Sequence, residues 1–192
     1  MGEETGLERA LTAKGWLTTE ERQFLFDSVA GLGEENHVVN IGVEYGASTI
    51  CFAEGNTKVQ IQAIDIDMSK WLYEDIYGER VLLDETDSQD LVRVMIGHAS
   101  IFNEYIDVLF VDGDHSYEGV RGDHLWLMYV KPGGLAMFHD CYDWLTLPEK
   151  NVHQVCPGVN QAVQEWVDHK SFEGWQELPH VGTMRIFERL KW

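Results

Sequence analysis

No apolar run in this chain approaches the roughly eighteen residues that a membrane-spanning helix needs, so the sequence offers no span. The opening Met1-Gly-Glu-Glu-Thr-Gly6 is acidic and polar. It lacks the basic start and apolar centre of a secretory signal. Cysteine is scarce. Cys51, Cys141 and Cys156 form no zinc spacing and no obvious disulfide framework, which fits a reducing, cytoplasmic setting. Positive charge is also scarce: 14 Lys and Arg stand against 33 Asp and Glu, a net charge of −19. That surplus opposes a phosphate backbone and argues against nucleic acid as a partner. It fits solubility, a salty habitat, or a surface that must draw in a cation. Also missing are the GxGxxG dinucleotide fingerprint, internal repeats, low-complexity tracts and Pro/Ser-rich linkers. What remains is 192 residues of ordinary apolar content, enough for a single domain over 1–192 with one sizeable core.

From His37 onward the chain alternates short apolar runs with helical patterns. Strands are expected at Val38–Ile41, Val59–Ile64, Leu91–Ile96, Ile106–Val111 and Leu135–Phe138. Helices are expected at about Ala47–Glu54, Ser69–Tyr77, Tyr117–Tyr129 and Val159–His169. Trp175–Glu177 and Thr183–Arg189, with no helix between them, read as a closing antiparallel hairpin. The pattern predicts an α/β fold: a doubly wound, mostly parallel seven-stranded sheet with helices on both faces and a C-terminal hairpin. Residues 1–36 read as a helical segment, with Thr18 capping a helix whose apolar face holds Phe24, Leu25 and Val29. The irregular stretch 141–157 is long enough to be a candidate lid.

Two apolar runs end abruptly in acids and histidines. Val108–Val111 leads into Asp112, Asp114 and His115, and Leu135–Phe138 leads into His139 and Asp140. Open parallel sheets bind ligands at the carboxyl ends of their strands, so these side chains should crowd one rim. Gly42 and Gly46 sit in the first strand–helix turn, where glycine lets backbone approach a ligand and the helix beyond, with Ser48, offers free N–H donors. Asp65 ends the second strand at the spacing from Gly42 that suits ribose hydroxyls, although capping the next helix is an alternative role. Asp67 is better placed as that cap. After the third expected strand, Ser100 in Gly97-His-Ala-Ser100 could bond a base edge or cap a helix.

The order Ile-Gly-x-x-x-Gly, Asp65, Gly-x-x-Ser, Val-Asp-Gly-Asp-His-Ser-Tyr-Glu, Pro-Gly-Gly and His-Asp resembles the class I S-adenosylmethionine (SAM) dependent methyltransferases. Within them it most resembles the small-molecule, sugar-type O-methyltransferase branch often labelled family 24. The likeness covers about Val38 to Arg189 and is most specific over Val111–Glu118 and Lys131–Asp140. It implies SAM as cofactor, bound through Asn40, Gly42, Gly46, Ser48, Asp65, Ser100 and Asp112. Asn40 departs from the acid that many relatives place near the methionine part of SAM.

The resemblance also implies Mg2+ or another divalent cation at the rim. Asp112 and Asp140 are the oxygen ligands that a hard cation prefers, and His139 would favour a softer metal. His115, three residues after Asp112, matches the suspected general base of similar sugar methyltransferases, with Asp112 and Asp140 completing the catalytic set. A neutral imidazole titrates close to working pH and can take a hydroxyl proton. Asp114, Tyr142 and Trp144 are candidate substrate contacts; the remaining tryptophans, Trp16 among them, read as packing residues. The expected activity is O-methylation of a small polar acceptor such as a sugar or glycosylated metabolite, by an enzyme for which a homodimer is a possible assembly. Rival readings are a non-catalytic SAM- or nucleoside-binding module and a nucleotide-dependent oxidoreductase.

Overall fold

The computed structural model describes residues 4–73, 80–97, 105–142 and 156–191. Two short helices, α1 (Gly6–Thr12) and α2 (Thr19–Ser28), open the chain. Each begins with a reciprocal capping box, Thr5 with Glu8 and Thr18 with Glu21, which satisfies N–H groups that the first turn leaves without intrahelical partners. Next come β1 (His37–Ile41), α3 (Ala47–Gly55), β2 (Gln60–Asp65), β3 (Val81–Glu85), α4 (Ser88–Gly97) and β4 (Ile106–Val111). The chain continues through α5 (Tyr117–Asp123), which tightens into a 3-10 turn over His124–Tyr129, to β5 (Val130–Phe138). After α6 (Pro157–Asp168), β6 (Trp175–Val181) and β7 (Met184–Arg189) close the fold as an antiparallel hairpin. No helix among the described residues is long and apolar enough to cross a membrane.

The seven strands lie in the order β3-β2-β1-β4-β5-β7-β6. The first five are parallel, and β7 runs antiparallel to β5. Successive strand residues point to opposite faces, so each buried strand feeds two cores. Val39, Ile41, Leu109, Val111 and Phe138 pack on one side with Trp126, Val163 and Trp166. Val38, Val108, Phe110 and Met137 pack on the other with Leu25, Ile50 and Phe52. Fully burying one such side chain contributes about 1.5–3 kcal/mol, which explains why the central strands are apolar nearly end to end.

Register fixes the rim. Ile41 lies beside Ile64 and Val111, and Val111 lies beside Phe138. The residues that follow, Gly42, Asp65, Asp112 and His139, therefore leave the sheet at one common edge.

The third strand differs from expectation. Leu91–Ile96 belongs to α4, and the strand is Val81–Glu85 at the sheet edge. Asp87 Oδ1 accepts from the backbone N–H of Gln89 and Asp90, which starts a helix where β-branched content suggested a strand. Leu91, Val92, Met95 and Ile96 then share one inward stripe while Val94 faces out. The helix expected at Ser69–Tyr77 is a single 3-10 turn over Met68–Lys70, capped by Asp67, with residues 74–77 outside the described residues.

Candidate functional site

A cleft of about 600 Å³ opens at this rim, lined by the glycine turn, Asp65, Asp112, His115, His139 and Asp140. Sites for small molecules are commonly of this size and commonly sit at such a switch point. The turn from Gly42 to Gly46 holds three left-handed residues: Gly42 at φ 84°, Glu44 at φ 46° and Gly46 at φ 99°. A Cβ on Gly42 would lie 2.0 Å from the Asp112 carbonyl oxygen, so glycine is needed for two strand ends to touch. A Cβ on Gly46 would press the Trp71 ring at 2.7 Å. These glycines are required by protein neighbours rather than by a ligand alone.

Asp65 shapes the same turn. Its Oδ2 accepts from the N–H groups of Val43 (2.7 Å) and Glu44 (3.0 Å), and its Oδ1 accepts from Asp67 N–H (3.0 Å). A carboxylate has about four acceptor positions, so one remains on Oδ1 for a hydroxyl in the cleft. Asn40 is withdrawn from the cleft. It is fully buried, and its amide donates to Ser48 Oγ (3.0 Å) and Thr49 Oγ1 (2.7 Å), pinning the start of α3 to β1. Ser48 itself reaches the cleft wall. Ser100 and Trp144 lie outside the described residues, as does most of the expected lid, 143–155. The turn that follows β3, Thr86 to Gln89, lines the cleft. The helix α4 carries the chain about 14 Å from Ser88 before it reaches Gly97.

The acidic rim is a network of charges. His139 is 3 % exposed, with Nδ1 3.1 Å from Asp112 Oδ1 and 3.5 Å from Asp140 Oδ1. Its Nε2 lies 3.4 Å from Glu21 Oε2. Burial works against a charged imidazole, but the Asp112, Asp140 and Glu21 carboxylates outweigh it and raise His139 well above its ordinary value. Burial likewise pushes the Asp112 carboxyl up, and His139 with His115 pulls it down to about 2. Glu21 answers in the same way: burial raises it, and His139 brings it below the usual range. The backbone fixes this network. Asp140 adopts a left-handed φ of 56°, and its N–H donates to Thr183 Oγ1. Thr183 in turn donates from N–H and Oγ1 to Glu21 Oε1 (2.8 and 3.0 Å).

His115 stands on the outer side of Asp112. Its Nε2 is 3.2 Å from Asp112 Oδ1 and 3.7 Å from Asp140 Oδ2, and its Nδ1 is 3.6 Å from Cys156 Sγ. The Asp112 hydrogen bond raises its pKa, against the opposing effect of burial. Asp114 is occupied locally, accepting from Ser116 N–H (2.8 Å) and Oγ (2.9 Å) to shape the start of α5. Beside this cleft lies a second hollow of about 400 Å³, lined by Asp140, Tyr142, Cys156, Asn160 and Gln164. Asp140 borders both cavities.

Three participants carried no readable sequence signal for this role. Glu21 reads as a first-turn acid of the helix that Thr18 caps, and only the fold shows that its carboxylate also meets His139. Cys156 reads as one of three scattered cysteines. Trp16, expected as a packing residue, is 79 % exposed and lines the cleft, a correction that follows from its place in the loop between α1 and α2. Of the remaining tryptophans, Trp71, Trp126 and Trp166 are buried as expected.

Comparison with known proteins agrees with this architecture. Residues 39–141 match the model of methyltransferase family 24, described as a methyltransferase domain. An uncharacterized protein of Acanthamoeba polyphaga mimivirus is 43 % identical over 61 residues, which cover 31 % of this chain and 25 % of that protein. The O-methyltransferase TomG of Streptomyces achromogenes, crystallised with SAM, superposes with TM-score 0.69 at 14 % identity, covering 99 % of this chain and 92 % of that one. An O-methyltransferase of Bacillus cereus in complex with SAH (S-adenosylhomocysteine) gives 0.68 at 15 % identity, over 100 % and 93 %. The MycE methyltransferase of mycinamycin biosynthesis, crystallised with Mg, SAH and mycinamycin VI, gives 0.65 at 18 % identity. That match covers 97 % of this chain and 54 % of MycE, so the chain spans about half the length of that relative and a quarter of the viral one. A family model matched over more than half the chain establishes that the protein belongs to methyltransferase family 24.

Proposed function

We propose that the protein methylates a hydroxyl oxygen of a small polar acceptor, a sugar or glycosylated metabolite, using SAM and a divalent cation. The observation that carries this reading is the arrangement Asp112–His115–hollow. His115 Nε2–H donates to the Asp112 carboxylate, which leaves Nδ1 facing the Cys156 side, where an acceptor could lie. This is the orientation logic of a base held in one tautomer by a buried acid. When bound, SAM would supply a methyl group on a sulfonium, and a cation held by Asp112, His139 and Asp140 would supply positive charge that makes a hydroxyl more acidic. The chain's own residues do the rest. The glycine turn and Asp65 place the nucleoside, and Asp140 borders both cavities. His115 takes the hydroxyl proton at Nδ1 as the oxygen bonds to the methyl carbon and the carbon–sulfur bond breaks, its electron pair returning to sulfur in S-adenosylhomocysteine. Alignment of oxygen, carbon and sulfur supplies much of the remaining acceleration.

The rim suits a metal. Ligand atoms of Asp112, His139 and Asp140 lie within 4.8 Å of one another. Glu21 behind His139 Nε2 matches the carboxylate that commonly backs a ligating imidazole. With one nitrogen donor in the set, Mn2+, Fe2+ or Zn2+ fits better than Mg2+. The Nδ1 proton must leave for that nitrogen to ligate, so metal affinity should rise with pH. MycE, of similar fold, was crystallised with Mg, which supports a role for a divalent cation.

Calorimetric titration with SAM tests the cofactor assignment, and no heat at millimolar SAM refutes it. Asp65→Ala should weaken SAM binding roughly 10- to 100-fold, the worth of a hydrogen bond to a charged group. An unchanged Kd would restrict Asp65 to shaping the turn.

The pH profile tests the base. The Asp112 hydrogen bond raises His115 from 6.5, and the base must be neutral to accept a proton. The acidic limb of kcat/KM should therefore fall at a pH above 6.5, with activity lost below it. His115→Ala should cost about 100-fold or more and remove that limb. A limb that survives the substitution assigns the proton to another group.

A further inference from the structure

Asp140 has two carboxylate oxygens, and they face different clusters. Oδ1 points toward His139, 3.5 Å away. Oδ2 lies 3.8 Å from Cys156 Sγ and 3.7 Å from His115 Nε2. Cys156 Sγ is in turn 3.6 Å from His115 Nδ1. Ligand atoms of His115, Asp140 and Cys156 all fall within 4.8 Å of one another. A tetrahedral zinc, bonded at about 2.3 Å to sulfur and about 2.0 Å to nitrogen or oxygen, holds its ligands about 3.5 Å apart. The sulfur-to-nitrogen and sulfur-to-oxygen distances already approach that spacing.

The three ligands come from rigid places. Asp140 is tied by its backbone to Thr183. His115 is held by Asp112 and lies just before Ser116, the cap of α5. Cys156 directly precedes Pro157 at the start of α6, a helix anchored through buried Val159, Ala162, Val163 and Trp166. Cys156 and His115 are both partly exposed, so a cation can reach them. Cys51 and Cys141 are buried, and their thiols face the backbone carbonyls of Ala10 and Phe138.

We propose that His115, Asp140 and Cys156 form a second metal site, selective for a thiophilic divalent cation such as zinc, whose occupancy silences methyl transfer. It differs from the Asp112–His139–Asp140 set by its sulfur, which prefers zinc over magnesium. On binding, the Cys156 thiol gives up its proton to solvent and sulfur bonds the metal as thiolate. The His115 Nδ1 lone pair is then spent on the metal and cannot accept a proton. This regulatory consequence rests on the reading of His115 as the base; the site itself does not.

Cobalt(II) reads the site directly. Metal-depleted full-length protein, without SAM, is titrated with Co2+ and its absorption recorded. A thiolate-to-cobalt charge-transfer band saturating at one equivalent is expected, and zinc should abolish it. The band should vanish in Cys156→Ser and in Cys156→Ala, and should persist in Asp112→Asn. In turnover assays run with saturating Mn2+ to occupy the Asp112–His139–Asp140 set, added zinc should inhibit the native enzyme, with a half-inhibiting concentration about 100-fold or more higher in Cys156→Ser. A native protein that binds Co2+ without the band, or a band that survives loss of Cys156, overturns the site. Zinc that raises the rate overturns the silencing. Because the band is measured at equilibrium without cofactor, its absence from an active methyltransferase sinks this inference alone. Its presence in an inactive protein would sink the catalytic reading and leave the site standing.

Discussion

Asp112→Asn is expected to lower kcat/KM by about 10³- to 10⁴-fold, the size of effect seen when the orienting acid of a buried histidine base becomes an amide. The SAM Kd should move far less. In the native protein the Asp112 carboxyl is held down at about 2, and it accepts from both His115 Nε2 (3.2 Å) and His139 Nδ1 (3.1 Å). An amide of the same shape has one oxygen and one N–H face. Both imidazoles meet the same oxygen, Oδ1, so either orientation of the amide removes the charge that holds the proton on His115 Nε2. An amide that turns its N–H face to that position meets Nε2 with a donor and favours the tautomer that carries the proton on Nδ1. The base then presents a proton where it needs a lone pair. The turn itself should survive, because Asp112 N–H donates to the Ile41 carbonyl at 2.8 Å independently of the side chain. Steady-state kinetics with a calorimetric SAM titration separates the two effects. A rate within tenfold of native would remove Asp112 from the catalytic set.

Much of this rim was legible because register does the work. Short apolar runs between turn residues mark buried parallel strands, and the chemistry at their ends then has only one edge to occupy. Asp112, His115, His139 and Asp140 needed no knowledge of packing. The third strand did, because a sequence run does not state its own neighbours. Leu91–Ile96 is rich in β-branched and long apolar residues, and only the Asp87 cap and the exposed Val94 mark it as a helix. Val81–Glu85 is half exposed at the sheet edge and carries two acids, so its pattern is weak. Asn40 shows a different limit. Its amide type suits an ammonium ligand and suits Ser48 and Thr49 equally well, and the buried helix start takes it. Long-range pairs are the hardest case: Glu21 and His139 are far apart in the chain, and nothing local to either reports the other.

That pair sets the largest stability effect. Glu21→Gln should destabilise the fold by about 3 kcal/mol, because removing one partner leaves a buried charge poorly compensated. For a chain of this length the melting temperature should then fall by about 6–12 °C. The substitution isolates charge from capping, since glutamine also serves at the third position of a capping box. Glu21 accepts from Thr18 through Oε2 and from Thr183 through Oε1, so an amide must also turn one donor toward another. The pH dependence identifies the cause. Glu21 is lowered from 4.5 in the folded state, so its contribution is full above 4.5 and is lost as pH falls through the folded value. His139 is raised well above 6.5, so its contribution is full below 6.5 and is lost as pH climbs through that raised value. The deficit of Glu21→Gln should thus be greatest between pH 4.5 and 6.5, persist through neutrality, and shrink toward both extremes. Melting curves of the two proteins across that range supply the comparison. A deficit independent of pH would mean that Glu21 acts as a cap and a spacer, with no electrostatic hold on the imidazole that closes the rim.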